Sequence, residues 1–363
     1  MKIQAAICTD SKVPLSIHTV DLDAPRDDEV LVKVVACGVC HTDISAPGWL
    51  VGLPMVPGHE ASGIVEAVGA KVTKVVPGDH VLLSFGSCGT CPTCIQGKPY
   101  HCQAWPMLNF AGIRGDGSKT IHWNGAAING SFFQQSSFAS HALATERNIV
   151  KVGKDLPLEL LGPLGCGIQT GAGAVMNTLR AEAGASIVVF GAGSVGLSAV
   201  MAARVQGCTP IIVVDVNPER LQFALQLGAT HIVNGKADDV VAQIQALTGG
   251  GARYSVETAG HASTFTGAID CLAIGGACGL IAPPNNGAPI QWSPLNIVLG
   301  RSLLGVLEGS SNPDVFIPYL IDLYRAGQFP FDRLVKYYPF ECVNDAIRDS
   351  KEGKVVKPIL RMT

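Results

Sequence analysis

Between residues 186 and 215 the chain reads as strand, glycine turn, helix and strand, an order that few folds accommodate. Ser186-Ile187-Val188-Val189-Phe190 is a short apolar run, followed by Gly191-Ala192-Gly193-Ser194-Val195-Gly196. A helix-forming stretch over 197–206 leads to a second apolar run, Ile211-Ile212-Val213-Val214-Asp215. Strands apolar on both faces belong to a covered parallel sheet, and parallel neighbours need a crossover such as a helix between them. The glycines follow the spacing G-x-G-x-x-G. Gly191 permits the tight turn, Gly193 lets the backbone approach a diphosphate, and Gly196 lets helix and strand pack closely, with the helix N-terminus facing the phosphate charge. Asp215 ends the second strand 24 positions after Gly191. Its carboxylate can accept hydrogen bonds from an adenosine ribose and repel a 2′-phosphate, which favours NAD over NADP. Arg220 works in the other direction, since a cation there accepts a phosphate; it also reads as an ordinary solvated helix charge. Helical patterns over 221–227, 240–247 and 264–274 alternate with apolar runs over 231–233, 254–257 and 277–281. This alternation predicts a doubly wound α/β half-sheet, preceded by a helix over 167–179.

Upstream, the texture is different. Val30-Leu31-Val32-Lys33-Val34-Val35 is the clearest of several short β-branched runs, and 63–69 and 78–83 follow it with glycine at their ends. Many short strands with glycine turns predict a compact, β-rich, barrel-like unit. Residues 109–131, polar and rich in Gly and Asn, are expected to be loop. A helix over 315–326 and a strand near 355–360 are expected to return to this first unit. At 363 residues the chain exceeds the reach of one core, so two domains are expected.

Inside the first unit, Cys88, Cys91, Cys94 and Cys102 are spaced C-x2-C-x2-C-x7-C, with Gly89, Pro92 and Gly97 supplying the bends. Four thiolates around one tetrahedral ion make a closed structural zinc site with no position left open for chemistry. The competitor is an iron–sulfur cluster, whose bacterial run has a three-residue last gap and a following proline. Here the last gap is seven residues and Gln103 follows Cys102, which favours zinc.

The net charge of −3 gives no reason to expect nucleic acid or an acidic membrane as partner. With 47% apolar and only 15% charged residues, the chain reads as well-buried and globular, and its sparse charge fits self-association as a homo-dimer or homo-tetramer. No apolar run is long enough for a signal peptide or a membrane span, and twelve cysteines then point to metal chemistry in a reducing, cytoplasmic setting. Cys40, His59 and Cys166 each sit in glycine-flanked turns but are far apart in the chain. A lone His or Cys is more often a core residue than a ligand, so these three only suggest a second metal.

Cys40-His41-Thr42-Asp43, Gly58-His59-Glu60, the four-cysteine lobe, Cys166 and the 191–196 turn together resemble the zinc-dependent medium-chain alcohol dehydrogenases, in that family's order and over essentially the whole chain. The tail, with Val306-Leu307-Glu308-Gly309 and Pro313-Asp314-Val315-Phe316-Ile317-Pro318, resembles its bacterial aryl (benzyl) alcohol dehydrogenase branch. The resemblance implies a GroES-like catalytic domain over 1–167 and 303–363, with the structural zinc lobe at 86–103, and a Rossmann NAD-binding domain over 168–302. It implies two zinc ions per chain. Cys40, His59 and Cys166 would hold the catalytic one, with Glu60 able to approach it from behind and Asp43 orienting His59. Thr42 would hydrogen-bond the substrate oxygen and pass its proton onward. His41 and Lys357 would pair with the coenzyme's phosphates, and Thr170 would lie near the nicotinamide. The implied activity is reversible oxidation of a primary, aromatic or allylic alcohol to its aldehyde.

One position departs from the family pattern. Many relatives carry a histidine five residues after the first zinc cysteine, where this chain has Ser45. Serine cannot take up a full proton at neutral pH, so the last step of the relay falls to water or another base. Trp49, Phe85, Trp105 and Phe132 are candidates for an aromatic pocket wall or, equally, for ordinary core. The alternatives are a relative acting on another primary alcohol, such as geraniol or S-hydroxymethylglutathione, and a non-catalytic NAD-sensing protein on the same fold.

Overall fold

The computed structural model describes residues 1–48, 50–284 and 292–362. Trp49 lies outside the described residues. The chain divides into two compact units. One comprises Met1–Cys166, Asn312–Tyr319 and the segment from Asp332 onward; the other comprises Gly167–Ser311 and Leu320–Phe331.

The first unit begins with β1 (Lys2–Ile7), β2 (Ser16–Leu22), β3 (Glu29–Gly38), β4 (Ala61–Val68), β5 (His80–Leu83), β6 (Ile121–Trp123), β7 (Ala126–Ile128), β8 (His141–Thr145) and β9 (Ile149–Val152). The second holds β10 (Ile187–Phe190), β11 (Ile211–Asp215), β12 (His231–Asn234), β13 (Ala252–Glu257), β14 (Leu272–Leu280) and β15 (Ser302–Gly305). The chain then returns to the first with β16 (Val335–Pro339) and β17 (Lys357–Arg361).

In the first unit β3 is the spine. Its run from Val30 to Val35 pairs antiparallel with β4 and β8, and its far end pairs with β17. The seven-stranded sheet has the order β16-β17-β3-β4-β5-β9, with β8 on β3. Val32, Val34, Val65, Phe138 and Leu360 fill the core beneath it. A second sheet, β1-β2-β6-β7, closes the other side over Ile3, Ile7, Val20 and Ile121. Its β6–β7 hairpin lies within 109–131, where the sequence reading expects loop. Three-residue strands with an exposed Ala126–Ala127 edge carry no legible alternation, and it is pairing with β2 that makes them strands.

The second unit is a six-stranded parallel sheet in the order β12-β11-β10-β13-β14-β15. Helices Ser194–Val205, Pro218–Leu227, Val240–Thr248 and Ala262–Asp270 serve as crossovers. Strand order reverses between β10 and β13, and in such sheets the carboxyl ends at the reversal form the ligand-binding crevice. Val188, Phe190, Ile212, Val214 and Phe265 pack its core. Two boundaries differ from the sequence reading. The helix expected over 264–274 stops at Asp270, because Ala252 pairs with Leu272 and draws 272–280 into the sheet. The return to the first unit, expected at 303, comes at Asn312, because β15 pairs in parallel with β14 as the sixth strand. Among the described residues, no helix is long and apolar enough to cross a membrane.

Candidate metal centres and dinucleotide site

Cys40 caps the short helix His41–Ser45 at the end of β3, and its N–H donates to Asp43 Oδ2 at 2.9 Å. The other oxygen of Asp43 accepts from Gly58 N–H at 3.0 Å and from His59 Nδ1 at 2.7 Å. One buried carboxylate therefore ties the helix to the turn before β4. A proton on Nδ1, held by that carboxylate, leaves the Nε2 lone pair for another partner. Nε2 of His59 is buried and has no hydrogen-bond partner. Around it converge Cys40 Sγ, Cys166 Sγ and a carboxylate oxygen of Glu60, all within 4.8 Å of one another. Thus three residues that the chain holds far apart form one cluster, and its imidazole has a buried nitrogen without a hydrogen-bond partner. Two thiols, an imidazole and a carboxylate suit zinc, which takes tetrahedral sulfur and nitrogen ligands.

The electrostatics agree. A hydrogen bond from Cys166, reinforced by His59, holds the Cys40 thiol well below its ordinary value despite burial. Burial works against charge on His59, yet Asp43 and Cys40 outweigh it and raise the imidazole well above its usual range. A cation bound here would take the place of that proton.

Lys357 lies against Glu60, the carboxylate of the cluster. Burial raises the Glu60 carboxyl, with Lys357 opposing. Burial alone would lower the Lys357 ammonium, but Glu60 and Cys40 raise it further. Lys357 Nζ donates to both Glu60 oxygens at 3.0 and 2.9 Å and to Val39 O at 3.2 Å. Lys357, expected to pair with a coenzyme phosphate, here directs its ammonium to protein acceptors and braces Glu60. Gly38 makes room for the pair, since a Cβ there would sit 2.1 Å from Glu60 Oε2. Thr42 Oγ1 lies 3.7 Å from Cys40 Sγ, while His41 and Ser45 are exposed on the same helix.

An aromatic group surrounds the His59 ring. Phe133 stacks on it with centroids 4.3 Å apart, and Phe132 meets it edge-on at 5.4 Å. Trp105 and Phe110 contact Phe133 edge-on at 5.9 and 5.6 Å. Behind them Gln135, buried, donates to His59 O at 2.9 Å and to Ser84 O at 3.2 Å. Of these residues the sequence reading names Trp105 and Phe132; Phe110, Phe133 and Gln135 it does not. A run such as Ser131-Phe132-Phe133-Gln134-Gln135 reads as core, and nothing in its spacing points at residue 59.

In the lobe, the sulfurs of Cys88, Cys91, Cys94 and Cys102 also lie within 4.8 Å of one another. Backbone N–H groups of Cys88 and Cys91 donate to Cys102 Sγ and Cys88 Sγ at 3.2 and 3.3 Å, which favours thiolate. Gly89 and Gly97 take positive φ at the turns that bring the four together.

In the second unit Gly191 follows β10 with φ +99°. A Cβ on Gly196 would sit 1.8 Å from Gly191 O, whereas one on Gly193 would meet nothing within 4 Å. The first value is helix packed on strand without room for a side chain; the second is open space before the N-terminus of Ser194–Val205, where a diphosphate fits. Asp215 ends β11, accepting from Ala192 N–H at 2.6 Å and Asn217 N–H at 2.8 Å through different oxygens. Each oxygen keeps a lone pair for a ribose hydroxyl. Arg220 lies in the first turn of Pro218–Leu227, and Thr170 is buried on Gly167–Gly173.

Residues 26–154 match the alcohol dehydrogenase GroES-like domain, and residues 194–325 match the zinc-binding dehydrogenase family. The chain is 46% identical over 362 residues to a geraniol dehydrogenase from Castellaniella defragrans, spanning 98% of this chain and 97% of that protein. The crystal structure of an alcohol dehydrogenase zinc-binding domain protein from Burkholderia ambifaria matches with TM-score 0.97 and 48% identity, over 100% of this chain and 99% of that one. That of benzyl alcohol dehydrogenase from Acinetobacter calcoaceticus matches with TM-score 0.95 and 44% identity over the full length of both.

Proposed function

The chain belongs to the zinc-dependent medium-chain alcohol dehydrogenase family, and we propose that within it the protein oxidises primary aromatic or allylic alcohols reversibly to aldehydes, using NAD. The observation that carries this reading is the meeting of Cys40, His59 and Cys166 around the orphaned Nε2, beside a group of aromatic rings. Those three side chains hold the catalytic zinc, with Glu60 in reserve, and Cys88, Cys91, Cys94 and Cys102 hold the structural one. When bound, the zinc would supply Lewis acidity and NAD a hydride acceptor. Thr42 holds the alcohol hydroxyl and takes its proton onward. Ser45, exposed where many relatives have histidine, leaves the final transfer to water. Asp43 keeps the His59 tautomer fixed. The 191–196 turn receives the diphosphate and Asp215 the ribose; His41 pairs with a coenzyme phosphate, and Thr170 borders the nicotinamide.

Support for the substrate class comes from Trp105, Phe110 and Phe132 around the metal cluster, and from the relatives that act, by name, on geraniol and benzyl alcohol. Flat, apolar alcohols match such a wall better than ethanol does. We place the protein in the cytoplasm as a homo-dimer or homo-tetramer. Strand β15 pairs with β14 on one side, and Leu304, Ile297, Val298 and Ile274 expose apolar surface nearby, which suits a second copy.

The test is kcat/KM with NAD across ethanol, benzyl alcohol, geraniol and S-hydroxymethylglutathione, with zinc measured on the same sample. Benzyl alcohol or geraniol should lead by at least about tenfold. A lead for ethanol or the glutathione adduct would reject the substrate class.

A further inference from the structure

His59 is held by three contacts of different kinds. Asp43 Oδ1 accepts from Nδ1 at 2.7 Å, Gln135 Nε2 donates to the backbone carbonyl at 2.9 Å, and the Phe133 ring lies against the imidazole face at 4.3 Å and 21° between planes. The first two do not determine where Nε2 points. A single hydrogen bond at Nδ1 tolerates a rocking of the ring through small coupled changes of χ1 and χ2, and a bond to the carbonyl fixes only the backbone. A flat ring against the imidazole face removes the remaining rotation, and the edge of Phe132, at 87° to the imidazole, closes the adjacent side.

The backbone that delivers Phe133 is unusual. Phe133, Gln134 and Ser136 have φ of +51°, +53° and +48°, three non-glycine residues in the left-handed region within four positions. Side chains there are strained, and such conformations persist where the surroundings impose them. Here the surroundings are specific. Ser136 Oγ accepts from Phe132 N–H at 2.9 Å, Asn148 Nδ2 donates to Phe133 O at 3.3 Å and Gln134 O at 3.2 Å, and Ser136 N–H donates to Phe132 O at 2.9 Å. An ordinary core phenylalanine needs no left-handed backbone, and glycine at 133 would relieve that part of the strain. The chain instead keeps a large ring at this position, and that ring is the one stacked on the imidazole.

We propose that Phe133 is a positioning residue for the catalytic metal: its ring, presented by the left-handed turn at 133–136, fixes the rotation of His59 and so the direction of the Nε2 lone pair. This rests on the reading of Cys40, His59 and Cys166 as a metal site, and goes beyond it by assigning the aim of one ligand to a residue outside the ligand set. The outer partners of a metal-bound histidine commonly govern metal retention by one to two orders of magnitude; here an aromatic face does part of that work.

The experiment compares the parent with Phe133→Leu, which keeps apolar bulk but not the flat face, and Phe133→Tyr, which keeps the face. Zinc release to a chromophoric chelator is followed on the intact protein, together with the visible absorption of protein carrying cobalt(II) at the catalytic position. With Phe133→Leu, the catalytic metal should leave at least about tenfold faster and the cobalt bands should shift, while the lobe zinc leaves at the parent rate. Phe133→Tyr should restore both signals to parent values. Unchanged release and unchanged bands in Phe133→Leu would overturn the proposal, and so would equal acceleration at both metals, the mark of general loosening. Should Phe133→Leu fail to fold, Phe133→Tyr and Phe133→His decide: parent-like release from both supports the aromatic face, and accelerated release from both overturns it. A parent protein holding only one zinc per chain would reject the metal-site reading itself, a result distinguishable from all of these.

Discussion

Lys357 Nζ lies 2.9 Å from Glu60 Oε2, and both side chains are sealed from solvent. A buried pair of this kind gains its Coulomb energy only while both partners are present. Lys357→Met leaves a carboxylate buried without its cation, and is expected to cost about 3–5 kcal/mol in urea unfolding. The double variant Glu60→Gln/Lys357→Met should recover most of that loss. A double variant no more stable than the single would show that the two groups do not act as a pair.

Cys40→Ser removes one of the three proposed catalytic-zinc ligands and leaves the second unit untouched. Turnover should fall by at least about 100-fold, with one zinc equivalent lost and the NADH dissociation constant unchanged. Retained activity in metal-analysed protein would refute the ligand assignment.

Gly193 and Gly196 separate coenzyme binding from folding. A Cβ at 193 meets open space, so Gly193→Ala should fold and melt within about 1 kcal/mol of the parent yet bind NADH at least about tenfold more weakly. A Cβ at 196 would lie 1.8 Å from Gly191 O, so Gly196→Ala should cost about 1–3 kcal/mol or more. Calorimetry and NADH fluorescence titration on both variants check the contrast; parent-like coenzyme affinity in Gly193→Ala would argue against a diphosphate there.

Asp215→Ser tests the coenzyme discriminator. Losing the carboxylate removes ribose acceptors and repulsion of a 2′-phosphate, so the NAD-to-NADP ratio of kcat/KM should fall by at least about tenfold. Some stability should go with it, because Asp215 also accepts from Ala192 and Asn217. An unmoved ratio would locate the discrimination elsewhere.

The turn before β5 gives a pH-dependent prediction. A hydrogen bond from Lys151, then one from Val76 N–H, hold the Asp79 carboxyl below its ordinary range. Such a group adds stability that is present above the unfolded pKa, about 4, and lost as pH falls through the lower folded value. Asp79→Asn should therefore melt below the parent near neutral pH, with the gap closing as pH drops below about 4. Paired thermal melts across that window test it; a gap of constant size would mean that charge is not its origin.

The second unit was the more legible of the two because its signals are local. Apolar runs such as 187–190 and 211–214, with a glycine turn between them, announce a parallel strand pair without reference to distant residues. The lobe was legible for the same reason, since four cysteines within fifteen positions can close on one ion without the rest of the fold. The catalytic cluster was not. Cys40, His59 and Cys166 are joined by pairing of β3 with β4 and by the turn ahead of Cys166, and no spacing rule links them; the family resemblance supplied that link. The Lys357–Glu60 pairing was hidden likewise, because the burial of Lys357 depends on β17 lying against β3. Phe133 escaped notice because a left-handed φ at phenylalanine is the opposite of what residue type predicts.

Strand β17, synthesised long after β3, inserts beside it and carries Lys357 to Glu60. On the ribosome, the six-stranded sheet has all its strands in hand while the early β-rich segment still lacks a neighbour at Gly38 and a counter-ion for Glu60. The surroundings of Glu60 are therefore completed after the six-stranded sheet, and a nascent chain stalled before residue 357 would carry that sheet without the counter-ion for Glu60.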